Sequence, residues 1–298
     1  VVALSSMLLE WTRDPSTILV NLTYSINGAA DQAISGGSSY NGVSLNWTIP
    51  EAAIGNTVTV KVADANGANP ASTDVGPNAS SFNVRGTVTI DDPTSPPLTV
   101  GTAKNITWTK SAGVSTVDFF YSTNGSTWVT AATGQTASPY SWTPPDGAIG
   151  NLVQLRIKNS TAGQPGTTID TNTFAVQGVF AFTAAPTGTL AIGAAVPVTW
   201  TKTSTITSAG LYYTVGGTET LITTTSATSL TWTVPSGAVG GSVTLRLKDA
   251  DAGHYANVNK DSTPFGVKST LNFSATPKYP EQAAGTTVVA GSSMLLEW

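Results

Sequence analysis

Along most of this chain apolar residues alternate with polar ones. Val58, Val60 and Val62 share one face of a run, Val117, Phe119 and Tyr121 share one face of another, and Val243, Leu245 and Leu247 do so in a third. A period of two places successive side chains on opposite faces of a strand, so one face of each run is buried. No stretch of helical length carries an apolar stripe with a period of 3.6. Short runs of this kind, separated by Gly, Asn and Pro, predict an all-β chain of antiparallel sandwiches with no significant helix.

The runs belong to a larger repeat. Asn46-Trp-Thr-Ile-Pro-Glu-Ala-Ala-Ile-Gly recurs as Ser141-Trp-Thr-Pro-Pro-Asp-Gly-Ala-Ile-Gly and as Thr231-Trp-Thr-Val-Pro-Ser-Gly-Ala-Val-Gly, each leading into an alternating run. Upstream of each stands a second motif, Leu9-Glu-Trp11-Thr, Ile106-Thr-Trp108-Thr or Val198-Thr-Trp200-Thr. Thirteen residues after these tryptophans come Tyr24, Tyr121 and Tyr213, and three further on Asn27-Gly28, Asn124-Gly125 and Gly216-Gly217. Such pairs suit two-residue hairpin turns, in which both central residues take positive φ.

These repeats predict immunoglobulin-like domains at residues 1–86, 87–178 and 179–269, with residues 270–298 supplying the opening strands of another. In the usual lettering, the Trp11, Trp108 and Trp200 strands are B and the Tyr24, Tyr121 and Tyr213 strands are C. The Trp47, Trp142 and Trp232 strands are E, the alternating runs F, and the segments around Phe82, Phe174 and Phe265 G. Strand A falls at Thr87 to Ile90 and at Phe180 to Phe182, and the first domain lacks one. Both tryptophans of a repeat then lie in one sheet, facing C and F of the other. The six tryptophans and three tyrosines are the expected core, each tryptophan burying roughly 150–250 Å², in a chain without cysteine. Joints of a residue or two near Gly86, Gly178 and Ser269 predict stiff connections.

Residues 288–298 repeat residues 1–11, differing only in Gly291 against Leu4. Gly291 stands seven residues before Trp298, as Gly101 and Gly193 stand before Trp108 and Trp200, so Leu4 is the deviant copy. Val288, Gly291, Met294, Leu296 and Trp298 are therefore read in one of two ways. They continue a tandem array whose period runs from position 1 to position 288, or they are strands donated to a neighbouring chain. Both readings predict head-to-tail self-association and a fibre.

The succession Trp-Thr, Tyr-Ser-x-Asn-Gly, Trp-Thr-x-Pro and a Val-rich strand ending in Asp resembles tandem immunoglobulin-like or fibronectin-III-like surface repeats. It is similar to the Ser/Thr-rich cell-wall domain family named after yeast β-glucan assembly proteins. The resemblance implies an extracellular or cell-surface module, structural or adhesive and not an enzyme.

Composition narrows the partners. Only 10% of residues are charged, against about 25% in an average soluble protein. A net charge of −4 and a pI near 4.9 leave no basic stripe for nucleic acid, and no apolar run is long enough to span a membrane. The expected partners are the chain itself, head to tail and laterally, and cell-surface glycans.

Catalytic chemistry has little to draw on, because His254 is the single histidine and sits in a polar loop read as solvated. Calcium at low affinity is the best site candidate: Asp249 and Asp251 alternate ahead of Gly253, with Asp64 and Asn66 at the corresponding place in the first repeat. Asp91 and Asp92 beside the first joint are a weaker ion candidate. Glycosylation sequons stand at Asn21, Asn46, Asn78, Asn105, Asn124, Asn159 and Asn272. Trp128, Tyr140 and Tyr255 are read as exposed aromatics that could stack on sugars. They support the alternative of an accessory carbohydrate-binding module in a secreted polysaccharide-active enzyme.

Overall fold

The computed structural model describes residues 1–65, 73–74, 81–256 and 258–270, and its regular elements are strands joined by turns and three short 3-10 segments. Two compact units divide the chain, Val1–Val176 and Gln177–Trp298. The first holds two sandwiches and the second holds one.

Each sandwich follows the same plan, seen most fully in the third repeat. One sheet orders Phe180–Ala184, Ala195–Lys202 and Ser229–Thr233, which are strands A, B and E. The other orders Thr218–Thr225, Ala209–Val215, Gly240–Asp249, Phe265–Lys268 and Thr189–Ala191, with Asn259–Asp261 also paired to Gly240–Asp249. Both tryptophans therefore share a sheet. In the second repeat Trp142 lies about 6.1 Å from both Tyr121 and Phe174, and Trp232 keeps similar spacings to Tyr213 and Phe265. Trp47 stacks obliquely on Tyr24 at 5.0 Å. Burial of these rings is the main favourable term in each core.

Strand A changes sheets, a step the linear reading did not anticipate. After pairing with B it crosses over, and its second half runs parallel to G, as Thr189–Ala191 does beside Phe265–Lys268. The first domain has no strand before Ser6–Glu10 but keeps a bridge at the place of this second half. Val2 bridges Arg85 in parallel, Ala3 donates to the Arg85 carbonyl, and residues 1–3 fill that second half. Among the described residues, Ser6–Glu10 pairs only with Ser44–Thr48. The consequence shows in the core: Trp108 opposite Ile90 and Trp200 opposite Phe182 are 4% and 2% exposed, whereas Trp11 is only half-buried against Tyr40. The indole N–H groups of Trp11, Trp108 and Trp200 are nonetheless all buried and unpaired among the described residues.

The turns that follow strand C differ where a single form was expected. Gly216 and Gly217 both take positive φ and close a two-residue hairpin between Val215 and Thr218. Asn27 and Gly28 also take positive φ, with Ala29 donating to the Ile26 carbonyl, but strand pairing there starts only at Tyr24 opposite Gln32. Of the pair in the second repeat, Asn124-Gly125, only Gly125 has positive φ. There the Ser122 hydroxyl accepts the Asn124 and Gly125 amides and the Asn124 side chain accepts those of Ser126 and Thr127, which rebuilds the turn around side chains.

Within the first unit the joint between repeats is packed. Ile54 lies against Gly113 and Gly86, where a β-carbon on Gly113 would meet its Cδ1 at 3.0 Å. The Glu51 carboxylate accepts the Ala112 amide at 2.6 Å. Ile54 is left 6% exposed, which at about 25 cal/mol per Å² corresponds to roughly 2 kcal/mol for the side chain.

Candidate functional site

The cluster richest in chemistry lies at the F–G end of the third repeat. Gly240–Asp249 ends in Asp249, whose side chain is fully buried and accepts the Asp251 amide at 3.0 Å on one oxygen. Its other oxygen lies 2.8 Å from His254 Nδ1. Asp251 reaches across to the B–C loop, where it accepts the Thr207 amide at 2.5 Å, the Thr207 hydroxyl at 2.6 Å and the Ser208 amide at 2.9 Å. Burial alone would raise the Asp251 carboxyl, but the hydrogen bonds from Thr207 and Ser208 outweigh it and, with nearby His254, hold it below its usual value.

His254 is thus not a solvated loop residue, and the Thr207 hydroxyl is engaged by Asp251. The three ligand-type groups lie within 4.8 Å of one another. Their geometry is nevertheless that of a hydrogen-bonded knot: both Asp251 oxygens already face N–H or O–H donors, while calcium takes six to eight oxygens.

The second repeat contains the same knot in neutral form. Asn159, Thr161 and Gln164 occupy the positions of Asp249, Asp251 and His254. Thr161 Oγ1 accepts the Ser115 and Thr116 amides at 2.9 and 3.2 Å, its amide donates to Asn159 Oδ1 at 2.9 Å, and Asn159 Nδ2 donates to Gln164 at 3.0 Å. Because a threonine does the work of the aspartate, the shared role is to tie the F–G loop to the B–C loop. In the first repeat Asp64 ends Thr57–Asp64, and Asn66 lies outside the described residues.

Two further repeated devices escaped the linear reading. A basic residue two positions after the first tryptophan caps the B–C loop: Arg13 donates to the Thr17, Ile18 and Asn41 carbonyls, Lys110 to Val114 and Lys202 to Ile206. The spacing Trp-Thr-Arg/Lys in all three copies was the available signal. On the outer face of strand F, Lys61, Arg156 and Arg246 occupy one position. Arg156 binds Asp170 through two nitrogens at 2.6 and 2.7 Å, and Arg246 holds Asp261 likewise while also touching Glu219. Arg246 holds the Asp261 carboxyl below its usual range. Lys61 pairs with Asp31 at 2.7 Å.

The remaining candidates disperse. Arg156 covers one face of Trp128 at 3.8 Å from the ring centroid, removing that face as a sugar platform. Tyr140 is no exposed aromatic: it stacks on Phe119 at 4.6 Å and donates to the Ala131 carbonyl, and burial raises its phenol. Tyr255 is half-buried. Asp91 accepts the Thr107 hydroxyl, and Asp92 accepts the Asn172 amide and side chain, so both serve their own sandwich. Asn159 is buried in its knot and cannot accept a glycan in the folded state. Asn46, Asn105 and Asn124 are exposed and Asn21 is half-buried. Asn78, Asn272, Val288, Gly291, Met294, Leu296 and Trp298 lie outside the described residues. A shallow groove of about 410 Å³ is lined by Leu221, Trp232 and Pro235 among others and holds no ionisable side chain other than Tyr213.

No family model and no curated protein matches this chain. Solved structures do. Three N-terminal domains of the outer capsid protein Hoc of bacteriophage RB49 match at 11% identity and a TM-score of 0.31, covering 91% of this chain and 96% of that one. Fibronectin(III)-like modules of Clostridium thermocellum CbhA match at 20% identity and a TM-score of 0.25, over 61% of this chain and 95% of theirs. A tetra-tandem repeat from the extending region of a large adhesion protein matches at 13% identity and a TM-score of 0.34, over 87% and 74%.

Proposed function

We propose that this chain is a load-bearing spacer of an extracellular fibre, sheath or large surface adhesin, built from tandem immunoglobulin-like sandwiches that associate end to end with their own kind. The observation that carries this reading is the joint inside the first unit, where Ile54 and Glu51 dock on Gly113 and Ala112. A buried isoleucine and a charge-assisted hydrogen bond resist bending better than a bare tether does. The knot of the second repeat supports the same reading, since Gln164 also donates to the Gly113 carbonyl and so braces the end of that sandwich which receives the first. Catalysis finds no support in the Asp249–Asp251–His254 cluster, whose groups are spent on loop anchoring.

Electron microscopy of native material, with its intact mass, tests the proposal. Filaments with an axial repeat of three sandwiches and a mass well above 30.4 kDa are expected. Dispersed particles near 30.4 kDa would overturn it.

A further inference from the structure

The repeats differ at their ends, and the differences are complementary. At the tail, after strand E, the first two repeats carry Glu51 and Asp146, and the third carries Ser236. Three residues on stand Ile54, Ile149 and Val239. Ile54 is buried by the next sandwich, whereas Val239 remains 42% exposed. The third tail therefore lacks the carboxylate that grips a neighbour's amide, and among the described residues its apolar side chain is exposed.

The head of the first repeat departs in the matching direction. Counted from the tyrosine of strand C, Ser115 and Thr116 of the second repeat and Thr207 and Ser208 of the third correspond to Ile18 and Leu19 of the first. Hydroxyl residues at two heads are replaced by aliphatic ones at the other. Ile18 is 69% exposed, the highest value among the exposed large apolar side chains of the described residues, and Leu19 is exposed as well. Neither is loosely held: Arg13 binds the Thr17 and Ile18 carbonyls, and the Leu19 carbonyl accepts the Ala65 amide. An exposed aliphatic pair, held by hydrogen bonds to its backbone and four residues beyond Asp14, thus stands at a head position where the other two repeats carry hydroxyls. The chain's own order names its partner, because after the third repeat the sequence of the first begins again at residues 288–298.

We propose that the Val239 tail of one copy docks on the Ile18–Leu19 head of the first repeat in a second copy. This rests on the end-to-end reading above and adds an address to it. Glu51 grips the Ala112 amide, whose counterpart in the first repeat is Pro15, a residue with no N–H three positions before Ile18, so a tail without a carboxylate suits that head and copies join in one phase.

Cysteine is absent from the chain, so single engineered thiols report the contact without background. Full-length Ile18→Cys and Val239→Cys proteins are mixed under a mild oxidant and compared with Val239→Cys mixed with Leu221→Cys, a control at another exposed position. Both test positions are exposed, so neither substitution opens the core. The Ile18–Val239 pair is expected to form the mixed dimer about tenfold faster than the control, because docking raises the effective thiol concentration. Equal rates would overturn the docking surface. Sedimentation of the unmodified chain separates the two ideas. Self-association together with equal crosslinking rates removes this surface and leaves the end-to-end reading standing. A chain that stays at 30.4 kDa over all concentrations, again with equal rates, removes both.

Discussion

Leu4 sits at φ +61°, in the turn where Gly101 and Gly193 take +75° and +81°. The left-handed region pushes a β-carbon toward the following carbonyl and costs an L-residue on the order of 1–2 kcal/mol, part of which glycine gives back through its freer unfolded chain. Nothing lies within 4 Å of a β-carbon built on Gly101 or Gly193, so backbone conformation and not crowding selects glycine there. Leu4→Gly should therefore stabilise the first sandwich by about 1 kcal/mol, read as a higher urea midpoint. Asp251 offers a second test at this scale. Its depressed carboxyl contributes stability that is present above the unfolded value near 3.8 and is lost as pH falls through the lower folded value. Asp251→Thr, the residue the second repeat uses, should flatten the fall in stability of the third sandwich below about pH 4, measured by urea titrations at successive pH values.

At the scale of elements, the strands and their tryptophans were legible because a period of two and a thrice-repeated spacing record burial directly. The sheet change of strand A was not, since pairing to B and then to G leaves the same alternation in the sequence. Nor was the knot between F–G and B–C loops, because Asp249, Asp251 and His254 share no chemistry class with Asn159, Thr161 and Gln164 beyond the ability to hydrogen-bond at the same spacing. Reading residue types pointed to calcium; reading the donors around each oxygen points to anchoring. The packed joint was legible only as a short connection, for Gly113 says nothing until Ile54 is seen against it. Gly113→Val should force Ile54 and the Glu51 carbonyl away, costing about 1–3 kcal/mol. Calorimetry of the full chain should then show the transitions of the first two sandwiches drawing apart, and an unchanged profile would mean that the joint yields without loss.

For the molecule as a whole, three sandwiches share one plan yet solve each end differently. The knot is neutral in the second repeat and ionic in the third, and the tails are acidic twice and uncharged once. A chain of interchangeable beads has no need of such variation, whereas an ordered one gains specificity from it. One further property follows from the first tryptophan of each repeat. Their indole protons are sealed from solvent and shared with no acceptor among the described residues, one in each sandwich. In heavy water, each such proton can be replaced only when its own sandwich opens. The chain therefore carries three separate clocks, and their relative rates would rank the sandwiches by how often each one breathes.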